Sequence, residues 1–270
     1  MGFYSPATLL QDGRRHELKA NPVCVQKSGW VCTVEAEKTI RIGLRYVKGI
    51  REAAVQKLLA TRNEKPFASL DDFLRRTNFT PTERRALAAV GALDALSPHR
   101  RAALWQVEEA WSDDEALFKQ FAETYREASP LAAMSPAEEL QADFSGLGLT
   151  TGEHPMALLR GRLPDVCPAK HLKEVPNGRR VTIAGSVICR QRPGTAHGFV
   201  FVSLEDETGI ANAVVVPALF ERLRLVVTQE PALRITGRLQ NVSGVQHVKA
   251  ESIEPLREAT LPAQVSYDFH

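Results

Sequence analysis

The chain has 270 residues, 44% hydrophobic and 24% charged, the balance of an ordinary globular protein long enough for more than one domain. No apolar run reaches the ~18 to 20 residues of a membrane span, and the amino terminus lacks a basic-then-apolar leader, so membrane and secretory classes drop out and a cytoplasmic protein is expected. The net charge of +2 conceals two basic ends around an acidic middle: +8 over residues 1–104, −8 over 105–160 and +2 over 161–270. That distribution suits a polyanionic partner for the ends. Cys24, Cys32, Cys167 and Cys189 form no C-x-x-C pair, so reduced thiols are expected and a zinc site is not.

Residues 1–40 mix short turns with apolar stubs, broken at Asn21-Pro22. Ile40–Leu44 suits a short strand or the start of a helix. From there to about residue 128 the pattern is helical. Leu44, Val47, Val55, Leu58 and Leu59 build one apolar face, interrupted at Gly49. Helix starts are legible at Ser69 with Asp72, at Thr80-Pro81-Thr82-Glu83, at Ser97-Pro98, at Ser112 with Glu115, and at Ser135-Pro136-Ala137-Glu138.

The composition changes after Gly148, and His154–Leu159 reads as one short helix. Strands are predicted over Val181–Arg190, Gly198–Leu204, Ile210–Val216, Ala232–Leu239 and Val245–Ile253, with a helix over Pro217–Val227. Five strands with a helix after the third is the order of an OB-fold. The predicted class is therefore α+β multidomain: a helical module and helical connector, then a five-stranded OB-fold β-barrel. Glu258–His270 reads as a loosely held tail.

Two segments carry candidate function. In Leu44–Glu52 a glycine-bearing hairpin joins two helical pieces and directs backbone N–H groups at a helix amino terminus, a geometry suited to phosphate oxygen. Gly49 permits close approach, Ile50 completes the turn, and Arg45, Lys48 and Arg51 supply charge. Such contacts ignore base sequence and weaken with salt. The plainer alternative is a glycine-capped helix–helix turn.

The second segment is the barrel. Phe199, Phe201 and Ser203 alternate with Val200, Val202 and Leu204, so the two sets face opposite ways. If the phenylalanine face is open, its rings can stack on bases; otherwise they fill the barrel. Arg190, Arg192 and His197 lie near the first barrel hairpin, and Arg234, Arg238 and Lys249 on the later strands. All six are candidate contacts to a single strand.

Ile42–Arg62 with Phe67–Phe73 behind it, and Ala89–Leu96 after that, resemble the helix-hairpin-helix region of C-family bacterial DNA polymerases. Met1–Ala7 and Asp268-Phe269-His270 are similar to segments of the error-prone branch of that family, and Gly148–Met156 to the segment that precedes the family's OB-fold. The resemblance covers nearly the whole chain; one departure is Arg51, where family hairpins often carry a second glycine. It implies a carboxy-terminal portion. Residues 1–40 would be the tail of a fingers-like domain and 41–98 the hairpin module. An acidic connector at 99–145 and a pre-barrel segment at 146–177 would lead to the barrel at 178–257 and a tail at 258–270.

The implied partners are primer-template duplex and single-stranded DNA, with the replication clamp and mutagenesis accessory proteins. No cofactor is expected in this chain, because the family's metal-binding aspartates (and the divalent ion they hold, such as magnesium) belong to a palm domain upstream of Met1. No catalytic residue is predicted. Asp71-Asp72 and Asp113-Asp114 fall in first turns of helices, the histidines form no H-x-x-x-H pattern, and no serine has a nucleophile context. Two other readings fit the residues: a free-standing OB-fold module for tRNA or single-stranded DNA, and a protein-docking scaffold.

Overall fold

Helix α1 (Pro6–Arg15) starts where the Ser5 hydroxyl accepts the Thr8 N–H at 3.1 Å, with proline in the first turn. The computed structural model describes residues 5–114, 129–242, 244–257 and 267–269. These divide into two units, one made of Met1–His16 with Gly152–His270 and the other of Glu17–Thr151. Helix α1 therefore belongs with the carboxy-terminal half of the chain.

The middle unit opens with β1 (Lys19–Asn21), β2 (Thr33–Ala36) and β3 (Thr39–Arg41), in the order β1-β3-β2. Part of the stretch expected to be irregular is thus a small sheet. Its buried Arg41 pairs with Glu35 and donates to the Pro22 carbonyl at 2.9 Å. A short 3-10 turn at Leu44–Tyr46 leads into α2 (Glu52–Glu64), followed by α3 (Leu70–Arg76), α4 (Pro81–Ala89), α5 (Arg100–Asp114) and α6 (Pro136–Leu147).

Three of the expected caps form: Ser69 accepts from Asp72 N–H, and Thr80/Glu83 and Ser135/Glu138 make reciprocal capping boxes. A fourth does not. Helix α5 is capped by His99, whose Nδ1 accepts the Ala102 N–H at 3.1 Å, while the buried Ser97 hydroxyl makes no hydrogen bond. Ser112, the expected restart, and Asp113-Asp114, expected in its first turn, instead continue α5 to its end, and Glu115 lies outside the described residues. Leu44, Val55, Leu58, Phe73, Leu87 and Leu93 fill the core, with Phe73 edge-on to Phe67 and stacked on Phe79.

The other unit continues with α7 (Pro155–Leu159) and then β4 (Arg180–Gln191), β5 (Val200–Glu205), β6 (Ile210–Val215), β7 (Ala232–Val242), β8 (Val245–Pro255) and β9 (Tyr267–Phe269). The order is β5-β6-β8-β7-β4-β9, and an added β4–β5 pairing closes the five longer strands into a barrel. β4 can serve both neighbours because it is long: Arg180–Ser186 pair with β7 and Ser186–Gln191 with β5, with a register shift between Val187 and Cys189.

Gly237 lets β7 cross β8 closely; a Cβ there would land on the Lys249 carbonyl oxygen. The helix expected over Pro217–Val227 is two pieces, α8 (Pro217–Arg222) and α9 (Arg224–Gln229), broken at Leu223. Within the segment expected to be a loose tail, Tyr267–Phe269 pairs in parallel with Cys189–Gln191; residues 258–266 lie outside those described. Val200, Val202, Leu204, Val215, Phe220, Ile235 and Val248 fill the barrel.

Candidate nucleic-acid interface

The hairpin of the middle unit turns on Gly49, whose φ of 79° is in the left-handed region that glycine occupies at least cost. Gly49 is exposed and its N–H meets no acceptor among the described residues. The N–H groups of Glu52, Ala53 and Ala54 in the first turn of α2 lack intrahelical partners by the geometry of a helix start. Arg45 is exposed, without a side-chain hydrogen bond or ion pair among the described residues. Lys48 is anchored at both ends, its N–H on the Gly146 carbonyl at 2.8 Å and its Nζ on the Phe144 carbonyl at 3.3 Å. Ile50 is half-buried beneath the turn.

Arg51 is engaged differently from a phosphate ligand. Its N–H and Nε both donate to Glu83 Oε1 at 2.9 Å, and a terminal nitrogen reaches Oε2 at 2.8 Å. The Glu83 carboxylate, nearly buried, is held down to about 2 against the burial that raises it by Arg51 and by the Thr80 N–H and hydroxyl. The sequence marks Glu83 as a cap; nothing in its spacing announces that it also braces the hairpin.

A second glycine turn, at Gly91 with φ of 74°, is closed. Gly91 N–H bonds Ala88, Ala92 N–H bonds Leu87, and the Ala92 carbonyl accepts from Val25. Arg100 lies against it, donating to the buried Asp143 at 2.7 Å, and Asp143 also accepts from Thr150. Of the two turns, the one at Gly49 has donors to spare.

On the barrel, the alternation resolves: Val200, Val202 and Leu204 are interior, whereas Phe201 is 40% exposed, Ser203 and Phe199 half-buried. Register ties Gln191 to Phe201, Phe201 to Val214 and Val214 to Lys249, an outward row across four adjacent strands about 4.8 Å apart. Lys249 is exposed and makes no side-chain hydrogen bond or ion pair among the described residues. Beside Phe201 on the same face, the Ser203 hydroxyl donates to Asn212 Oδ1 at 2.8 Å. At the end of this face, in the β4–β5 hairpin, Arg192 stacks on Phe220 (4.6 Å to the ring centre) and approaches Glu221 at 3.5 Å. His197 is exposed with φ of 48°.

The other named cations are placed elsewhere. Arg190 is buried; its guanidinium donates to the Val227 carbonyl at 2.6 Å and the Glu230 carbonyl at 2.5 Å, tying β4 to α9 and the turn behind it. Arg238 continues the row on β7, in register with Lys249 and three strand steps along it from Phe201. There it shares Glu251 with Arg180, at 3.2 and 3.1 Å. Arg234, on the same strand, pairs with Asp165. Among the described residues no group of three or more His, Cys, Asp or Glu is placed to hold a metal ion, and no helix is long and apolar enough to cross a membrane.

The comparisons with known proteins follow the same division. A helix-hairpin-helix motif model matches residues 17–103, and an OB-fold nucleic acid binding domain model matches residues 170–256. The error-prone DNA polymerase of Azoarcus sp. (strain BH72) is 42% identical, covering 100% of this chain and 26% of its own length. Those of Anaeromyxobacter sp. (strain K) and Pseudomonas syringae pv. tomato are each 40% identical over 100% of this chain, which spans 25% and 27% of their lengths. The chain is a homologue of the error-prone DNA polymerases. It matches about a quarter of their length, in the carboxy-terminal part. An asparaginyl-tRNA synthetase from Pyrococcus horikoshii aligns with 33% of this chain at 24% identity and a TM-score of 0.26, too slight a likeness to argue from. The kinship to error-prone polymerases thus spans both the open Gly49 hairpin and the Phe201 face.

Proposed function

We propose that this chain is the DNA-gripping part of an error-prone, lesion-tolerant polymerase. The Gly49 hairpin, with Arg45 and Lys48, holds the sugar-phosphate backbone of primer-template duplex. The barrel face around Phe201, flanked by Lys249, Arg192 and His197, holds the single-stranded template. Arg51, locked on the nearly buried Glu83, the buried Arg190, and Arg234 and Arg238 of β7, paired with Asp165 and Glu251, serve the fold more than the ligand. Gripping is the whole task assigned to these residues; nucleotide transfer would fall to a palm domain. The replication clamp, accessory proteins of mutagenic bypass and a cytoplasmic place of work belong to the same proposal, as what kinship to the polymerases implies.

The observation that carries this reading is the outward Phe201 ring on one register row with Lys249, two strands away, a cation with no hydrogen-bond or ion-pair partner among the described residues. An apolar ring two strands, or about 10 Å, from an exposed cation, on a strand whose alternate residues already fill the barrel, suits stacked bases on a charged backbone. Fluorescence anisotropy of the chain against a primer-template, its single strand and matching RNA, at several salt concentrations, tests it. Binding to both DNAs that falls steeply with salt is the expected result, and Phe201→Ala should weaken the single strand about 5- to 150-fold, corresponding to ~1–3 kcal/mol per stacked base, and spare the duplex. Preference for RNA would favour a tRNA-type module. Absence of binding at low salt would leave a protein-docking role.

A further inference from the structure

We propose that Asn212 reads the base that Phe201 stacks, favouring a base that presents a carbonyl oxygen, thymine foremost, over adenine. The inference rests on the single-strand reading of the barrel face and adds a preference to it. Register places Ser203 opposite Asn212 and Phe201 opposite Val214, successive outward pairs on β5 and β6 separated by one inward pair. A base lying on the Phe201 ring can direct one edge toward Asn212, its diagonal neighbour on β6, about 8 Å away.

Asn212 is exposed, and its orientation is set: the Ser203 hydroxyl donates to Oδ1 at 2.8 Å, which turns the amide nitrogen and its two N–H donors outward. An unconstrained asparagine can pair with adenine through both ends of its amide, oxygen accepting from the amino group and nitrogen donating to N7. With one lone pair of the oxygen taken by Ser203 and the amide plane thereby fixed, the two-ended approach to adenine is hindered while the N–H donors stay available. Thymine O4 accepts from such a donor, whereas adenine keeps only its ring-nitrogen acceptor and loses the second, amino-group contact. The next outward group on β6, Val214, is apolar and contributes no competing hydrogen bond. Lys249 beyond it attracts the backbone of any sequence alike.

The test compares oligo-dT and oligo-dA by anisotropy for the wild-type chain, Asn212→Ala, Asn212→Asp, Ser203→Ala and Phe201→Ala. Self-stacking of oligo-dA is the same for every variant and cancels in the comparison. The wild type should prefer dT, and Asn212→Ala should shrink that preference by about 5-fold or more, within the range of one lost base contact. Asn212→Asp, which replaces the donors with acceptors, should shrink it at least as much. Ser203→Ala frees the amide to rotate and should shrink it partly. Phe201→Ala should weaken both oligomers together.

A dT:dA ratio that Asn212→Ala leaves unchanged overturns the assignment of Asn212, while binding that still depends on Phe201 keeps the single-strand reading. Loss of the Phe201 dependence, or no binding by the wild type, overturns both. Circular dichroism of each variant confirms that the exposed substitutions leave the barrel folded.

Discussion

Glu83 Oε1 accepts two hydrogen bonds from Arg51, one from its main-chain N–H and one from its side chain, both at 2.9 Å. The amino end of α2 is thereby fastened to the capping box of α4, 32 residues away in sequence. Glu83→Gln keeps the shape and removes the charge. It should cost the middle unit on the order of 1–3 kcal/mol, the range for a cap and its associated hydrogen bonds, measured by urea unfolding at pH 7. The pH dependence follows from the sign of the shift. The folded carboxyl titrates at about 2, below its ordinary 4.5, so its contribution is present above pH ~4.5 and lost as pH falls toward 2. In Glu83→Gln that part of the acid sensitivity should vanish; an unchanged acid limb between pH 5 and 2 would count against the brace.

The two cations of the open hairpin separate grip from stability. Arg45→Ala should weaken primer-template binding by a similar factor for every sequence and reduce the slope of log affinity against log salt by about 1. The wild-type stability should be retained, since Arg45 makes no side-chain hydrogen bond or ion pair among the described residues. Lys48→Ala should lower both affinity and stability, because its Nζ also satisfies the Phe144 carbonyl. A salt slope untouched by Arg45→Ala would remove that residue from the interface.

Arg190 and Arg192 stand two residues apart and should behave oppositely. Arg190→Ala strips hydrogen bonds from the Val227 and Glu230 carbonyls and should destabilise the barrel by about 1–3 kcal/mol while leaving single-strand affinity of the folded protein intact. Arg192→Ala should weaken single-strand binding and lower stability by no more than about 1 kcal/mol, from its stacking on Phe220 and its exposed approach to Glu221. Thermal melts alongside anisotropy distinguish the two; equal effects on affinity would refute the division.

Glu205, at the end of β5, is buried against Arg15 of α1 at 3.0 Å, and burial pushes its carboxyl up to about 7. The sign is opposite to that of Glu83. The folded state holds the Glu205 proton more tightly than the unfolded chain, so the barrel unit is favoured at low pH and loses that advantage as pH rises from ~4.5 through 7. The loss should be on the order of 3 kcal/mol, from ~1.4 kcal/mol per unit, the net rise already including the opposing pull of Arg15. Glu205→Gln should flatten the stability profile over that window, as read by unfolding at pH 5, 6, 7 and 8.

Gly237→Ala should be among the most damaging single changes. Its Cβ would fall on the carbonyl oxygen of Lys249, backbone against backbone, where no rotamer can relieve it. A drop of several kcal/mol in barrel stability is expected, beyond the ordinary ~1 kcal/mol for a point substitution, and a near-neutral result would contradict the β7–β8 crossing.

Much of this architecture could be read from local pattern. Strand alternation in Val200–Leu204 fixes which residues turn inward once a barrel is assumed, and Thr80–Glu83 or Ser135–Glu138 announce helices by cap chemistry that acts within four residues. What escaped was set by distant partners. Arg190 looks like any strand arginine until α9 is packed behind it. Arg51 looks like a phosphate ligand until Glu83 arrives from another helix. His99 displaced the more conventional cap at Ser97, because an imidazole nitrogen can do what a serine oxygen does. Asn212, silent in the sequence, acquires meaning only from the residue opposite it.

The pairing of α1 with the barrel has a practical consequence for anyone dissecting the molecule. The unit containing the barrel is discontinuous in sequence, broken at His16 and resumed at Gly152. A deletion that starts the chain at Gly152 would look clean on a linear map, yet it would discard Arg15 and leave Glu205 facing its burial alone. Joining residue 16 to residue 152 through a short flexible linker is the excision that respects the folding unit, and the middle segment, Glu17–Thr151, is the piece to express by itself.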